Sequence, residues 1–258
     1  MRKARAAGLS IISITDHDTT VGVDAARAAA REAGLDLVPG IEVTAVEEGR
    51  DTHILGYFID TASPPLQIFL EQQRADRQRR VDEMLGRLSE LGCPVDVREI
   101  LEDARRGRSI GRPHIADALL KAGHVRTREE AFDRFLAVTR PAYVARVGTP
   151  AAAVIRLIHE AGGIASLAHP GLDGRDHRLP SLAANGLDAI EATHSDHDKR
   201  TEAKYRRLAA ELGLAVSGGS DFHGESARHR VAQLGVVTLP ADDFERLRAR
   251  HRRATHLE

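Results

Sequence analysis

The sequence predicts an α/β fold, a mainly parallel sheet or barrel of strands alternating with helices and interrupted by an all-helical segment. Three observations predict it. Short runs rich in Ile, Val and Leu recur between longer helical patterns. That alternation stops after Ser63-Pro64-Pro65 and resumes near residue 140. Clusters of His, Asp and Glu stand directly after several of the apolar runs, where the strand ends of a parallel barrel open on one face.

The elements follow in chain order. Residues 9–15 (LSIISIT) read as a buried strand, and 21–34 as a helix ended by Gly34. Residues 35–44 form the next strand, 47–50 (EEGR) a turn, and 53–59 (HILGYFI) a returning strand, which together suggest a hairpin. Beyond the prolines, Val81, Met84, Leu85, Leu88 and Leu91 recur at helical spacing. Further helices are expected over 97–106, from Pro113 to Gly123, and over 127–138. A helix over 149–163 then leads into a strand at 164–168. The series continues with a strand at 187–193, a helix at 198–213, and strands at 214–220 and 234–239. The expected organisation is a barrel domain of residues 1–61 and 140–258 with a helical insertion at 62–139.

Composition narrows the function classes. With 258 residues and 42% hydrophobic content the chain can bury a sizeable core. A net charge of −1, from 37 basic and 38 acidic residues, argues against a globally basic nucleic-acid coat protein. Cys93 is the single cysteine, so a reducing compartment fits. No apolar run approaches the roughly 20 residues of a membrane span, and no signal core follows the N-terminal charges, so a cytoplasmic protein without a membrane partner is expected. Thirteen histidines against three tyrosines and no tryptophan is an unusual balance. His124, His159, His177, His229, His251 and His256 read as surface residues.

The remaining histidines keep company with carboxylates. Thr15-Asp16-His17-Asp18, Glu42, Ala168-His169-Pro170 and Ser220-Asp221-Phe222-His223 all follow strands, and the hairpin would bring His53 to the same rim. Imidazole and carboxylate donors without thiolates suit Mn, Fe, Zn or Mg better than a structural zinc site. A carboxylate such as Glu42 can bridge two cations, and such a pair can clamp a phosphoryl group during in-line attack. Asp16 and Asp18 read equally well as caps of the following helix, and His194 and His197 as site residues or as part of a capping loop. Arg112 and His114 open a predicted helix, where an anion is favoured and an arginine can grip two phosphate oxygens. Arg74, Arg77, Arg79 and Arg80 form a basic run that reads as a solvated helix face or as steering for a polyanion.

Taken in order, ITDHDT (14–19), GIEVT (40–44), HILGY (53–57), GRPHIA (111–116), AHP (168–170) and GSDFH (219–223) resemble the PHP family, the polymerase and histidinol phosphatase superfamily. The nearest likeness is to its branch of nucleoside 3',5'-bisphosphate phosphatases and 5'-3' exoribonucleases, and it covers nearly the whole chain. The resemblance implies a distorted (β/α)7 TIM-like barrel with a helical insertion and two or three divalent metal ions, manganese first, with Mg, Zn or Fe as alternatives. It implies His17, Glu42, His53, His169, Asp221 and His223 as metal ligands, with Asp221, His223 and His17 at the centre of catalysis. Arg112, His114 and His194 would contact the substrate phosphate. The family opens with a strand carrying His-x-His and then an Asp, and this chain shows neither. The expectation is a longer natural chain with that strand upstream; a true truncation would bind one metal fewer and leave sheet edges unpaired.

The expected activity is hydrolysis of a nucleotide phosphate ester, foremost the 3'-phosphate of a nucleoside 3',5'-bisphosphate. A 5'-3' exoribonuclease acting on short RNA is the second reading, and a weakly active or non-catalytic metal-binding remnant the third. The expected partner is a nucleotide or short RNA, with no stable protein partner.

Overall fold

The computed structural model describes residues 1–105, 110–146, 148–223 and 234–255. His229 and His256 lie outside the described residues. In chain order the elements are α1 (Arg2–Ala6), β1 (Ile11–Ile14), α2 (Val21–Glu32), β2 (Asp36–Glu47), β3 (Arg50–Tyr57), α3 (Pro64–Glu90), α4 (Arg98–Arg105), α5 (Arg112–Lys121), α6 (Arg128–Ala131), α7 (Ala151–Glu160), β4 (Ile164–Leu167), α8 (Leu179–Ala184), β5 (Ala189–His194), α9 (Lys199–Glu211), β6 (Ala215–Gly219) and α10 (Ala241–Thr255). A π-helical turn, Phe132–Leu136, extends α6. No helix among the described residues is long and apolar enough to cross a membrane.

The chain divides into two compact units, Met1–Leu66 with Gly148–Glu258, and Gln67–Val147. The first is a mixed α/β unit on a six-stranded sheet in the order β1-β2-β3-β4-β5-β6. β1 and β2 run parallel, as do β4, β5 and β6, and β3 alone is reversed. The reversal follows from the turn at Glu48 and Gly49. Both residues have positive φ (53° and 72°), the backbone that a tight hairpin between right-twisted strands requires. β2 runs three residues past the expected end at 44, because its second half pairs with β3 from Gly40↔Tyr57 to Glu47↔Arg50. Val38, Leu55, Tyr57, Ile164, Ala189 and Leu247 form part of the core around this sheet.

The second unit is helical. Val81, Met84, Leu88, Ile115, Leu119 and Leu136 are fully or almost fully buried there. Each such Leu, Ile, Val or Met contributes about 1.5–3 kcal/mol relative to leaving it exposed. The basic run on α3 does not form one outward stripe. Arg77 donates to the carbonyl of Ile110 (3.2 Å), and buried Arg80 donates to the carbonyl of Val144 (3.0 Å). Only Arg79 of these three is plainly exposed, and it pairs along the helix with Asp76 and Glu83.

One expected strand is absent. Residues 234–239 form turns and bends, not a strand. Gly235, at φ 85°, packs against Ala7 so closely that a Cβ would lie 2.8 Å from the Ala7 Cβ, and Val236 is exposed. A left-handed glycine in that contact bends the chain away from the extended path its apolar pattern suggests. α8 and α10 were not expected. α10 has acidic residues in its first turn and basic ones in its last, the polarity that favours a helix dipole.

Candidate metal centre

The centre is built where β2 leaves β1. His17, just beyond β1, forms an isolated parallel bridge to Glu42, and the backbone closes around it: Glu42 N donates to Asp16 O (3.1 Å) and Asp18 N to Glu42 O (2.8 Å). Asp18 is not the N-cap of α2; that position is Thr20, whose side chain makes no cap bond. Its buried carboxylate instead accepts from Thr44 N (2.8 Å) and from the Thr44 hydroxyl (3.1 Å). This tie locks the segment after β1 to β2 on both sides of Glu42. The Asp16 carboxylate lies against the first turn of α2, where a Cβ on Gly22 would be 2.8 Å from its Oδ2; burial raises it, with the charge of His223 opposing.

Glu42 is 4% exposed and lies among three imidazoles. Its Oε1 is 2.8 Å from His53 Nδ1 and 3.3 Å from His169 Nε2, and its Oε2 is 3.5 Å from His17 Nδ1. Burial alone would raise this carboxyl. The bonds to His169 and His53 and the charge of His17 and His53 together outweigh burial and hold it well below the usual range. His169 moves the other way: burial lowers it, but the Glu42 carboxylate and the nearby Glu191 and Asp221 push it up to about 9.

Asp221 and His223 follow β6. His223 Nδ1 donates to the Asp221 carbonyl (2.8 Å), which leaves Nε2 as the nitrogen with the lone pair. Its ring centroid is 6.1 Å from that of His17. The rings form an arc: His17 to His53 (5.0 Å), His53 to His169 (5.2 Å), His169 to His194 (5.5 Å) and His194 to His197 (5.2 Å). Asp18, His169 and Asp221 all have positive φ (51°, 27° and 49°), a conformation rare outside glycine and often found at functional sites.

His194 and His197 differ from the ligating type. His194 Nδ1 accepts from Asp196 N (3.1 Å), so its proton sits on Nε2. That Nε2 is buried without a hydrogen-bond partner and faces Asp221 Oδ2 at 3.9 Å, beyond hydrogen-bond length. His197 Nδ1 donates to Ala192 O (2.8 Å) and its Nε2 accepts from Gly171 N (3.1 Å), so both nitrogens are engaged. The capping of α9 belongs to Asp198, which accepts from Thr201 N (2.7 Å).

Arg112 and His114 belong to the helical unit. Gly111 caps α5, and Arg112 lies over the rings of Phe132 (5.9 Å) and Tyr143 (5.6 Å). His114 Nδ1 is buried without a hydrogen-bond partner.

The donor set fits a divalent cation. One ligand atom each from His17, Glu42 and His53 lie within 4.8 Å of one another. The His53 Nδ1 and His169 Nε2 atoms are 3.2 Å apart, a spacing that only a shared proton or a cation reconciles. A buried anionic carboxylate ringed by imidazole nitrogens is a donor set that suits Mn, Mg or Zn.

Sequence reasoning passed over Glu191. It is 5% exposed in β5, and its Oε2 accepts from His169 N (2.8 Å). Burial raises its carboxyl to about 7, against the opposing charges of His194 and His169. The signal was an acidic residue in the middle of the apolar run LDAIEAT.

No family model matches the chain. It is 34% identical over 230 residues to a 5'-3' exoribonuclease of Haemophilus influenzae, covering 86% of this chain and 82% of that one. It is 34% identical over 232 residues to a phosphoribosyl 1,2-cyclic phosphate 1,2-diphosphodiesterase of Eggerthella lenta, covering 88% of each. It is 32% identical over 234 residues to a 3',5'-nucleoside bisphosphate phosphatase of Chromobacterium violaceum, covering 88% of this chain and 82% of that one. Among solved structures, a candidate metal-dependent phosphoesterase from Bifidobacterium adolescentis superposes with a TM-score of 0.84 at 34% identity, over 96% of this chain and 88% of that one.

Proposed function

The chain belongs to the PHP family of metal-dependent phosphoesterases, and from that premise we propose that it removes the 3'-phosphate of a nucleoside 3',5'-bisphosphate. His17, Glu42, His53, His169, Asp221 and His223 hold two or three divalent cations, manganese first. The observation that carries this reading is Glu42, a buried carboxylate with three imidazole nitrogens at 2.8–3.5 Å. When bound, such ions neutralise charge on a phosphoryl group and activate water for in-line attack. The chain's own groups do the rest. Glu42 stays anionic although buried, so it counters the ions' charge. His223, with its proton on Nδ1, presents Nε2. Asp18 and Thr44 keep Glu42 from turning away. Arg112 and His114 are proposed to grip the substrate's other phosphate, on the strength of the GRPHIA motif.

A second reading, 5'-3' exonucleolytic attack on short RNA, is supported by the Haemophilus relative. The inward-turned Arg77 and Arg80 weaken the idea of a long basic track on α3. The deciding experiment offers the Mn-loaded protein three substrates: a nucleoside 3',5'-bisphosphate, a 5'-phosphorylated short RNA and a phosphoribosyl 1,2-cyclic phosphate. The highest kcat/KM on the bisphosphate is expected; a clear preference for either other substrate overturns the assignment. Arg112→Ala should mainly raise KM for the bisphosphate, and an unchanged KM would remove Arg112 as the phosphate grip.

A further inference from the structure

His169 is held in an unfavourable backbone state. At φ 27° and ψ 53° it is left-handed, and it precedes Pro170. A residue before proline favours extended backbone, and an L side chain resists positive φ. Left to itself, His169 would relax to an extended form and swing its ring away from Glu42 and His53. Something must hold the segment His169–Leu172 in place.

β5 and the loop after it supply two acceptors that do so. Glu191 Oε2 accepts from His169 N at 2.8 Å. His197 Nε2 accepts from Gly171 N at 3.1 Å, and His197 is fixed in turn by donating from Nδ1 to Ala192 O at 2.8 Å. The register of β5 against β6 shifts between Glu191 and Thr193, so Ala192 sits at an irregularity in the ladder, and bulges next to sites commonly re-aim groups in this way. Gly171 fits the same arrangement: a Cβ there would lie 2.6 Å from His197 Nε2 and 2.9 Å from Thr201 Cγ2.

We propose that Glu191 and His197, neither of them a metal ligand, are positioning residues that set His169 for coordination by gripping the backbone on either side of Pro170. The inference rests on the reading of His169 as a ligand. Partners behind metal ligands typically change affinity 10–100-fold when removed.

The test is Mn titration by calorimetry on the metal-free 258-residue chain, with circular dichroism melts as the control for folding. Glu191→Ala should weaken Mn binding by about 10–100-fold. Glu191→Gln, which keeps an acceptor oxygen for His169 N, should recover most of that loss. Gly171→Ala, which displaces His197 without touching the buried carboxylate, should weaken binding in the same direction, and it decides the matter if Glu191→Ala does not fold. Wild-type affinity in Glu191→Ala or in Gly171→Ala overturns the proposal. So does Glu191→Gln as weak as Glu191→Ala, since the charge and not the acceptor would then matter. A wild-type chain that bound neither Mn nor Zn would overturn the metal-centre reading first and this inference with it; wild-type uptake with unmoved variants overturns this inference alone.

Discussion

The two ends of β5 carry similar chemical groups and finish them differently. Before its first residue, Asp188 is fully matched. Its Oδ2 takes His159 Nε2 (2.7 Å) and Ala165 N (2.9 Å), and its Oδ1 takes Arg250 Nε (3.0 Å). That cluster is closed: carboxylate, cation and backbone donor answer one another. Past the other end, where the His194 ring lies 5.5 Å from that of His169, Glu42 gathers His17, His53 and His169, and the facing nitrogens of His53 and His169 are 3.2 Å apart. One end is completed by the protein. The other gathers ring nitrogens about one carboxylate, and under the function proposed above a cation completes it. In barrel-like α/β folds the first kind of end serves stability and the second serves chemistry.

Substitutions at both ends, and a change of pH, probe that contrast. The largest effect is expected at the open end: Glu42→Ala should abolish Mn uptake and lower kcat/KM by at least about 10²–10³-fold, the range for losing a major electrostatic group. His17→Ala and Asp221→Ala should likewise stop hydrolysis with little change in melting temperature, and wild-type turnover in either would take that residue out of the centre. At the closed end the pattern should invert. Asp188→Ala should cost about 1.5–3 kcal/mol of stability, as for a lost hydrogen bond to a charged group, with kcat of the folded protein unchanged; a fall in kcat would show that the two ends are coupled.

Thr44→Val tests the tie behind Glu42. It keeps the shape and removes one bond to Asp18, so a stability loss of about 1 kcal/mol is expected in denaturant melts, with a weaker Mn affinity. Unchanged Mn binding would separate the tie from the centre. The smallest effect is a pH dependence. Burial raises the Asp188 carboxyl, but the bonds to His159, Ala165 N and Arg250 outweigh it and leave it below its ordinary value. A depressed carboxylate adds stability above its unfolded value and loses it as pH falls through the folded one. The melting temperatures of wild type and Asp188→Asn should therefore converge in acid. A gap that widened on acidification would contradict the sign.

Much of this was legible before the structure. Strand identities came from apolar runs, and the hairpin from Glu-Glu-Gly-Arg, because those signals are local. The histidines and carboxylates after the strands were legible as a cluster because a parallel topology sends strand ends to one face. What stayed hidden depends on distant partners. Asp18 read equally as a cap or as a site residue, and only the register of β2 shows that Thr44 claims it. Glu191 looked like one polar residue in a strand, because nothing local says that it must hold a backbone amide 22 residues away. The run 234–239 looked like a strand, but the contact of Gly235 with Ala7 bends it.

The tight turn at Glu48 and Gly49 also bears on how the centre comes together. It places Glu42 and His53 on one hairpin, and such local pairings close in about 1–10 μs. His169 and Asp221 sit far along the chain and join through long-range pairings that form more slowly. The first two donors thus meet while most of the polypeptide is still uncommitted. A cation present during folding would encounter that half-made nest before the remaining groups arrive to enclose it.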